Sequence, residues 1–179
     1  MAKVLEVLTY PTASLKKKSV DVTKFDSKLA DFVADMFKTL TFEDGLGLAA
    51  PQVGENINLF ITDVGPKDPK NPDERLPNPI CLINPKIVNR DGEIIWEEGC
   101  LSCPDLLVDV ERARNITVVS FDVEGREQTH QMSELAAVCV QHEMDHLKGI
   151  LLADKISRLQ RELYGKKRIR ERKAAGSRD

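Results

Sequence analysis

The chain has 179 residues, 41% hydrophobic and 31% charged, with a formal net charge of −3, which predicts one soluble globular domain with a real core. No apolar run approaches the roughly 20 residues of a membrane span, and the start, Met1 to Leu5, lacks a signal peptide's apolar core. A cytoplasmic, bacterial-type setting is therefore expected, with Cys81, Cys100, Cys103 and Cys139 as thiols rather than disulfides.

Val4 to Tyr10 reads as a short strand ending at Pro11. Asp26 or Ser27 then opens an amphipathic helix whose stripe, Leu29, Phe32, Val33, Met36, Phe37 and Leu40, keeps the helical period and predicts core. That helix ends near Glu43-Asp44. Ile57, Leu59 and Ile61 alternate as a strand, and Pro66, Pro69, Pro72, Pro77 and Pro79 mark a surface excursion. Beyond it the chain reads as β-structure. Ile80–Ile83 is a strand, and Ile87-Val88 and Glu93–Trp96 flank Asn89-Arg90-Asp91-Gly92 as a hairpin. Leu106–Val110 and Ile116–Val123 follow, and Glu124-Gly125 turns the latter into Glu127–Met132. Strands joined by short turns and flanked by separate helices predict an α+β fold with largely antiparallel sheet.

The next helix carries the chemistry. Ser133 is its expected N-cap, Glu134 suits its first turn and Gly149 its stop. Leu135, Val138, Cys139, His142 and His146 share one stripe, and the opposite face is apolar too, so the helix is expected to be buried on most sides. Two histidines four apart lie about 6 Å apart along a helix axis, close enough to converge on one metal ion, with Glu143 beside them as a possible base.

A catalytic site of this kind needs a third protein ligand. Leu152 stands where a third histidine would complete one standard pattern, and the downstream Glu162 and Glu171 lie in a basic tail. Cys139 shares the helix but is about 10 Å in rise from His146. Cys81 reads as a small core residue. His130 falls on an expected solvent-facing hairpin. What remains is Cys100 or Cys103, in Glu98-Gly99-Cys100-Leu101-Ser102-Cys103-Pro104. A closed site using both cysteines and both histidines is the rival arrangement, but it leaves Glu143 without a role.

Gly45-Leu46-Gly47-Leu48-Ala49-Ala50-Pro51-Gln52, Glu98-Gly99-Cys100-Leu101-Ser102 and Gln141-His142-Glu143-Met144-Asp145-His146-Leu147, in this order, resemble the three signature motifs of the peptide deformylases. The likeness spans about residues 3–155. It implies an α+β fold with mostly antiparallel sheets wrapped around the central helix bearing the two histidines, plus a C-terminal helix. It implies a metal-dependent amide hydrolase that removes the N-formyl group from the initiator methionine of newly made polypeptides, releasing formate. The resemblance makes Cys100, His142 and His146 the ligands of one divalent ion. Ferrous iron is favoured, and zinc, nickel or cobalt suits the same donors. Glu143 becomes the general base, with the Gln52 amide and the Leu101 N–H as oxyanion donors. Gly45 and Gly47 are expected to allow a tight turn that brings Gln52 near the metal. Backbone groups at Leu46 and Gly99 would pair with an extended substrate. Gly47 counts among the substrate-binding residues; Leu135, Val138 and Cys139 would line the methionine pocket with Trp96 as a wall, though Trp96 and the helix residues read equally well as packing. Two positions depart from the pattern: Cys103, where an apolar residue is usual and where a thiol is an oxidation liability, and Leu107, where some members carry arginine.

The charge is uneven. From Arg158 to Asp179 nine Lys/Arg face three acidic residues, so an acidic body, the expected catalytic domain over residues 1–164, carries a basic tail over 165–179. Ser157 and Gln160 form a capping box for a final helix, with Leu159 and Leu163 expected to dock it. Formyl-methionyl nascent peptides are the implied substrates, ribosomal RNA is the expected partner of the tail, and no membrane partner is expected.

Overall fold

The computed structural model describes residues 2–71 and 74–176; Pro72 of the proline-rich excursion and the last three tail residues lie outside the described residues. Helix α1 spans Ser27–Phe42. Asp26 caps it by accepting a 3.1 Å hydrogen bond from the Leu29 N–H, which satisfies one donor left unpaired in the first turn. Leu29, Val33, Met36 and Leu40 are buried, as their period requires.

Five strands form one antiparallel sheet in sequence order: β1 (Gly47–Ala49), β2 (Leu59–Asp63), β3 (Pro79–Glu98), β4 (Val108–Phe121) and β5 (Glu127–Ser133). Neighbouring side chains on a strand point to opposite faces, and β2 is buried on both. Leu59 and Ile61 pack with Ile83 against α1, whereas Phe60 and Leu82 join Ile116 and Val118 against α2 (Glu134–Leu147). The sheet therefore lies between two helices, an α+β fold, and α2 touches all five strands. Ala137, Val140, Met144 and Leu147 face the sheet at helical period. The stripe of Leu135, Val138, Cys139 and His142 is left for a different neighbour. Among the described residues no helix is long and apolar enough to cross a membrane.

Several local expectations are corrected. Val4 to Tyr10 joins no strand. It runs extended across the molecule, its N–H groups spent on other partners: Leu5 on Thr39 Oγ1 at 2.9 Å, Leu8 on the Gln52 carbonyl at 2.7 Å and Tyr10 on the Ser102 carbonyl at 2.8 Å. The hairpin at Asn89–Gly92 does not form either. β3 runs through it, pairing Asn89 with Thr117 and Asp91 with Asn115, and the chain reverses at residues 99–107 instead. Gly92 keeps a left-handed backbone (φ 64°) inside the ladder. Pairing along almost the whole of β4 satisfies more backbone groups than a local turn could. Register shifts between Ile83 and Asn89 mark bulges in that ladder. Ser133 stands at the N-cap of α2, but its side chain caps nothing; strand passes directly into helix through Glu134 at φ 51°.

Helix α3 spans Arg158–Ala174 and opens with the expected capping box: Gln160 N–H donates to Ser157 Oγ at 3.3 Å, and Ser157 N–H to Gln160 Oε1 at 3.0 Å. Leu159 and Leu163 do not dock it, being 66% and 58% exposed. Tyr164 and Gly165 do so instead. Tyr164 stacks on Tyr10 with centroids 5.7 Å apart and donates to the Pro104 carbonyl at 2.9 Å. The helix continues unbroken across positions 164 and 165, and Arg172 donates to the Thr9 carbonyl and Thr12 Oγ1.

Gly149, just past α2, has φ 71°, and a Cβ there would meet the Lys16 carbonyl oxygen at 2.4 Å. Gly149→Ala is expected to cost roughly 2–4 kcal/mol, from left-handed strain plus a backbone clash. A urea titration checks this: the midpoint should fall with an unchanged slope.

Candidate metal centre

Two elements bring three donors together. The reversal after β3 presents Cys100, and α2 presents His142 and His146 one turn apart. Cys100 Sγ lies 3.3 Å from His146 Nε2, and one donor atom from each of the three residues lies within 4.8 Å of the others. Neither Cys103 nor Cys139 belongs to this cluster.

The charges around these donors are ordered. His142 Nδ1 lies 2.8 Å from Glu98 Oε2, and since a carboxylate only accepts, that nitrogen carries the proton and Nε2 keeps its lone pair. Burial alone would lower the His142 pKa, but the bond to Glu98 raises it overall. Glu98 is buried and held from its other side by Arg112, whose Nε and Nη2 donate at 2.6 and 2.9 Å. Burial pushes the Glu98 carboxyl up, yet the hydrogen bonds from Arg112 and His142 outweigh it and hold the pKa at about 2. Arg112 Nη1 continues to Asp145 Oδ2 at 2.8 Å, which also meets Lys155 Nζ at 2.9 Å. This is the carboxylate–histidine arrangement that fixes the ring of a metal-binding histidine.

The remaining groups fit a cation. Burial drives the His146 pKa well down, leaving a neutral imidazole able to ligate. The hydrogen bond with Cys103, and then burial, push the Cys100 pKa well above the usual thiol value, so a nearby positive charge is required to hold it as thiolate. His146 Nδ1 and Glu143 Oε2 are buried without a hydrogen-bond partner. Glu143 is 3% exposed, and burial lifts its pKa to about 7 despite the pull of His142.

A cavity of about 530 Å³ opens in front of these groups. Cys100, His142 and Glu143 line it, with Gln52 and Leu101 beside them; His146 sits deeper. Leu46, Gly47, Trp96 and Gly99 form the wall contributed by the sheet side, and Leu135, Val138 and Cys139 the wall contributed by α2. Gln52 is aimed by its neighbours. Its Oε1 accepts from Ala49 N–H at 2.8 Å, and its Nε2 donates to Ser102 Oγ at 3.1 Å and faces Cys100 Sγ at 3.8 Å. The glycine turn differs from expectation: Asp44, not Gly45 or Gly47, takes the left-handed backbone, at φ 51°. Gly47 is required for close approach instead, since a Cβ would meet Glu143 Oε1 at 2.6 Å and Cys139 Sγ at 2.9 Å. Leu107 is 64% exposed beside Gly99.

Four residues at this centre were assigned no role from sequence: Glu98, Arg112, Asp145 and Ser102. Glu98 and Asp145 carried a signal, as carboxylates one or two residues from a candidate ligand. Arg112 and Ser102 had none, because only tertiary folding brings Arg112 to Glu98 and Ser102 to Gln52.

A family model described as polypeptide deformylase matches residues 4–162. A peptide deformylase of Thermodesulfovibrio yellowstonii is 41% identical over 164 residues, covering 92% of this chain and 96% of that protein. One from Novosphingobium aromaticivorans is 38% identical, over 96% of this chain and 99% of its own length. Among solved structures, a peptide deformylase from Legionella pneumophila superposes with a TM-score of 0.83 at 34% identity, covering 98% and 99% of the two chains. One from Ehrlichia chaffeensis, in complex with actinonin, gives 0.86 at 34% identity, covering 94% and 98%.

Glu98→Gln keeps the shape but removes the charge that orients His142. Metal affinity, read by competition with a chromophoric chelator, is expected to fall about 10–100-fold. Unchanged affinity would show that His142 needs no anionic partner.

Proposed function

The chain belongs to the polypeptide deformylase family, and on that premise we propose that Cys100, His142 and His146 hold one divalent metal ion at the head of the cavity. The family is metal-dependent, and the reaction is removal of the N-formyl group from the initiator methionine of nascent polypeptides, with release of formate. The observation that carries the ligand assignment is the convergence of three donor atoms within 4.8 Å of one another. One thiolate and two imidazoles suit iron, zinc, nickel or cobalt, and ferrous iron is the proposed native ion.

When bound, the ion supplies positive charge that lowers the pKa of a water and polarises the formyl carbonyl. Glu143 accepts the proton of the attacking water at its carboxylate and hands it to the departing amine. Burial raises the Glu143 pKa, which makes its carboxylate a stronger proton acceptor than a solvated one. Gln52 has its Oε1 engaged by Ala49 and one amide N–H by Ser102, which leaves the other facing Cys100, placed to donate to the oxyanion alongside the Leu101 N–H. Such donors work because they need no reorientation as charge develops.

The peptide lies extended along Leu46 and Gly99. β1 is an edge strand, hydrogen-bonded within the sheet to β2 alone, so a substrate strand can add to it. The methionine side chain enters between Trp96 and the α2 wall of Leu135, Val138 and Cys139. Cys139 Sγ also reaches the Leu46 carbonyl at 3.5 Å, tying the two walls together.

The C-terminal helix has a second proposed role, contact with ribosomal RNA near the site where formylated chains emerge; a cytoplasmic setting goes with the same reading. Arg168, Arg172 and Lys167 are engaged with the body, Lys167 meeting Asp105 at 3.3 Å, whereas Lys166, Arg170 and Lys173 are exposed. The proposed boundary between catalytic domain (1–164) and tail (165–179) is thus functional, drawn across one helix.

Glu143→Ala is expected to retain its metal while hydrolysis of a formyl-methionyl peptide falls by roughly two to four orders of magnitude. An N-acetyl counterpart should be left intact by the unsubstituted protein. Retained turnover in the mutant would remove Glu143 from the proton path.

Charge reversal at Arg170 and Lys173 leaves the docking contacts in place. It should weaken binding to bacterial ribosomes and flatten its salt dependence, with free-peptide hydrolysis unchanged. Equal affinity across a salt series would rule out the RNA contact.

A further inference from the structure

Cys103 takes no part in the reaction above, yet it touches one of its ligands. Cys100 lines the cavity, whereas Cys103 is 1% exposed and packed among Leu15, Val110, Leu151 and Tyr164. The two are first and fourth residues of a turn closed by the Cys103 N–H donating to the Cys100 carbonyl at 2.9 Å. Turns of this kind keep their end Cα atoms within about 7 Å, and a disulfide needs about 4.4–6.8 Å. Cys100 also packs against the apolar cluster that contains Cys103. The turn thus sets the two residues within the span a disulfide bridges. Access is unequal: a small oxidant entering the cavity meets Cys100, and Cys103 is screened behind it.

We propose that Cys103 is a resolving thiol, which turns peroxide oxidation of Cys100 into a reversible Cys100–Cys103 disulfide and releases the metal instead of destroying its ligand. The inference rests on Cys100 being a metal ligand. In the first step the Cys100 thiolate attacks one oxygen of hydrogen peroxide and the O–O bond breaks. Cys100 becomes a sulfenic acid, oxidised by two electrons, and the departing hydroxide takes a proton from solvent to become water. In the second, the Cys103 sulfur attacks the Cys100 sulfur, and the hydroxyl leaves with the Cys103 proton as a second water. A disulfide sulfur lacks the thiolate charge that binds a cation, so only two imidazoles remain. A dithiol reductant restores the ligand. An apolar residue at 103 would leave the sulfenic acid to advance to sulfinic and sulfonic acids, which are not recovered.

The test uses full-length protein loaded with zinc, its stoichiometry measured first in the reduced state, then treated with hydrogen peroxide. The expected product is lighter by about 2 Da, carries a Cys100–Cys103 link in its peptide map, has lost zinc in parallel, and rebinds zinc after dithiothreitol. Cys103→Ala and Cys103→Val should bind zinc when reduced but lose it irreversibly, with gains of about 32 or 48 Da on the Cys100 peptide. Unsubstituted protein that shows those gains and no link overturns the proposal, whatever the variants do. A disulfide that leaves zinc bound overturns it too. Reduced protein that binds no zinc overturns the ligand assignment as well, and the fault then lies in the donor set rather than the thiol pair.

Discussion

Glu98 stands between His142 and Arg112 with a side chain only 4% exposed, and the arrangement of the centre depends on that carboxylate. Burying a charge of either sign costs several kcal/mol unless each hydrogen-bonding position is met. Both Glu98 oxygens are met: Oε1 by Arg112, Oε2 by Arg112 and His142 together. Arg112 in turn is balanced by Asp145, and Asp145 by Lys155, so the chain of charges ends near solvent. Removing one member would strand its neighbour, a loss of about 3–5 kcal/mol for a pair this buried. The benefit is orientation, because His142 can turn neither its ring nor its tautomer while Nδ1–H is engaged.

Ordering at the other wall of the site comes from elements far away in the chain. The loop carrying Cys100 is gripped from two sides, by Tyr10 N–H at the Ser102 carbonyl and by Tyr164 at the Pro104 carbonyl. Tyr10 and Tyr164 also stack on each other. The amino-terminal segment and the last helix thereby hold the loop that carries Cys100, the proposed third ligand, and the Leu101 N–H. Leu8 does the same for the Gln52 carbonyl. A donor meets a developing oxyanion well only when it is held before the reaction begins, and these ties supply that restraint without touching substrate.

Gly47 adds a constraint of a different kind. The space a side chain would fill there is occupied by Glu143 and Cys139, so β1 can pass close to Glu143. In the proposed complex the absence of one Cβ is what brings substrate strand and general base together. The same closeness adds to the burial of Glu143, and burial is the first cause of its raised pKa.

Much of this was legible without coordinates. Helical period marked α1 and α2, the capping boundary at Asp26 and the box at Ser157 followed from side-chain chemistry, and the spacing of His142, Glu143 and His146 pointed toward a metal site that the three motifs together strengthened. Those features are local, set within one or two turns, so a linear reading reaches them. Residue spacing left the third ligand open between Cys100 and Cys103, and the family motif favoured Cys100. The misreadings share one cause. Asn89–Gly92 has the composition of a turn and Val4–Tyr10 that of a strand, but β4 and the site loops claimed their backbone hydrogen bonds. Leu159 and Leu163 had the spacing of a docking face, whereas Tyr164 and Gly165 had Tyr10 to pack against. Whether a backbone group, a buried charge or an apolar face finds its partner is decided by residues dozens of positions away. Only the tertiary structure could bring Arg112 to Glu98 and Ser102 to Gln52, because those pairings are satisfied across elements and leave no period in the chain.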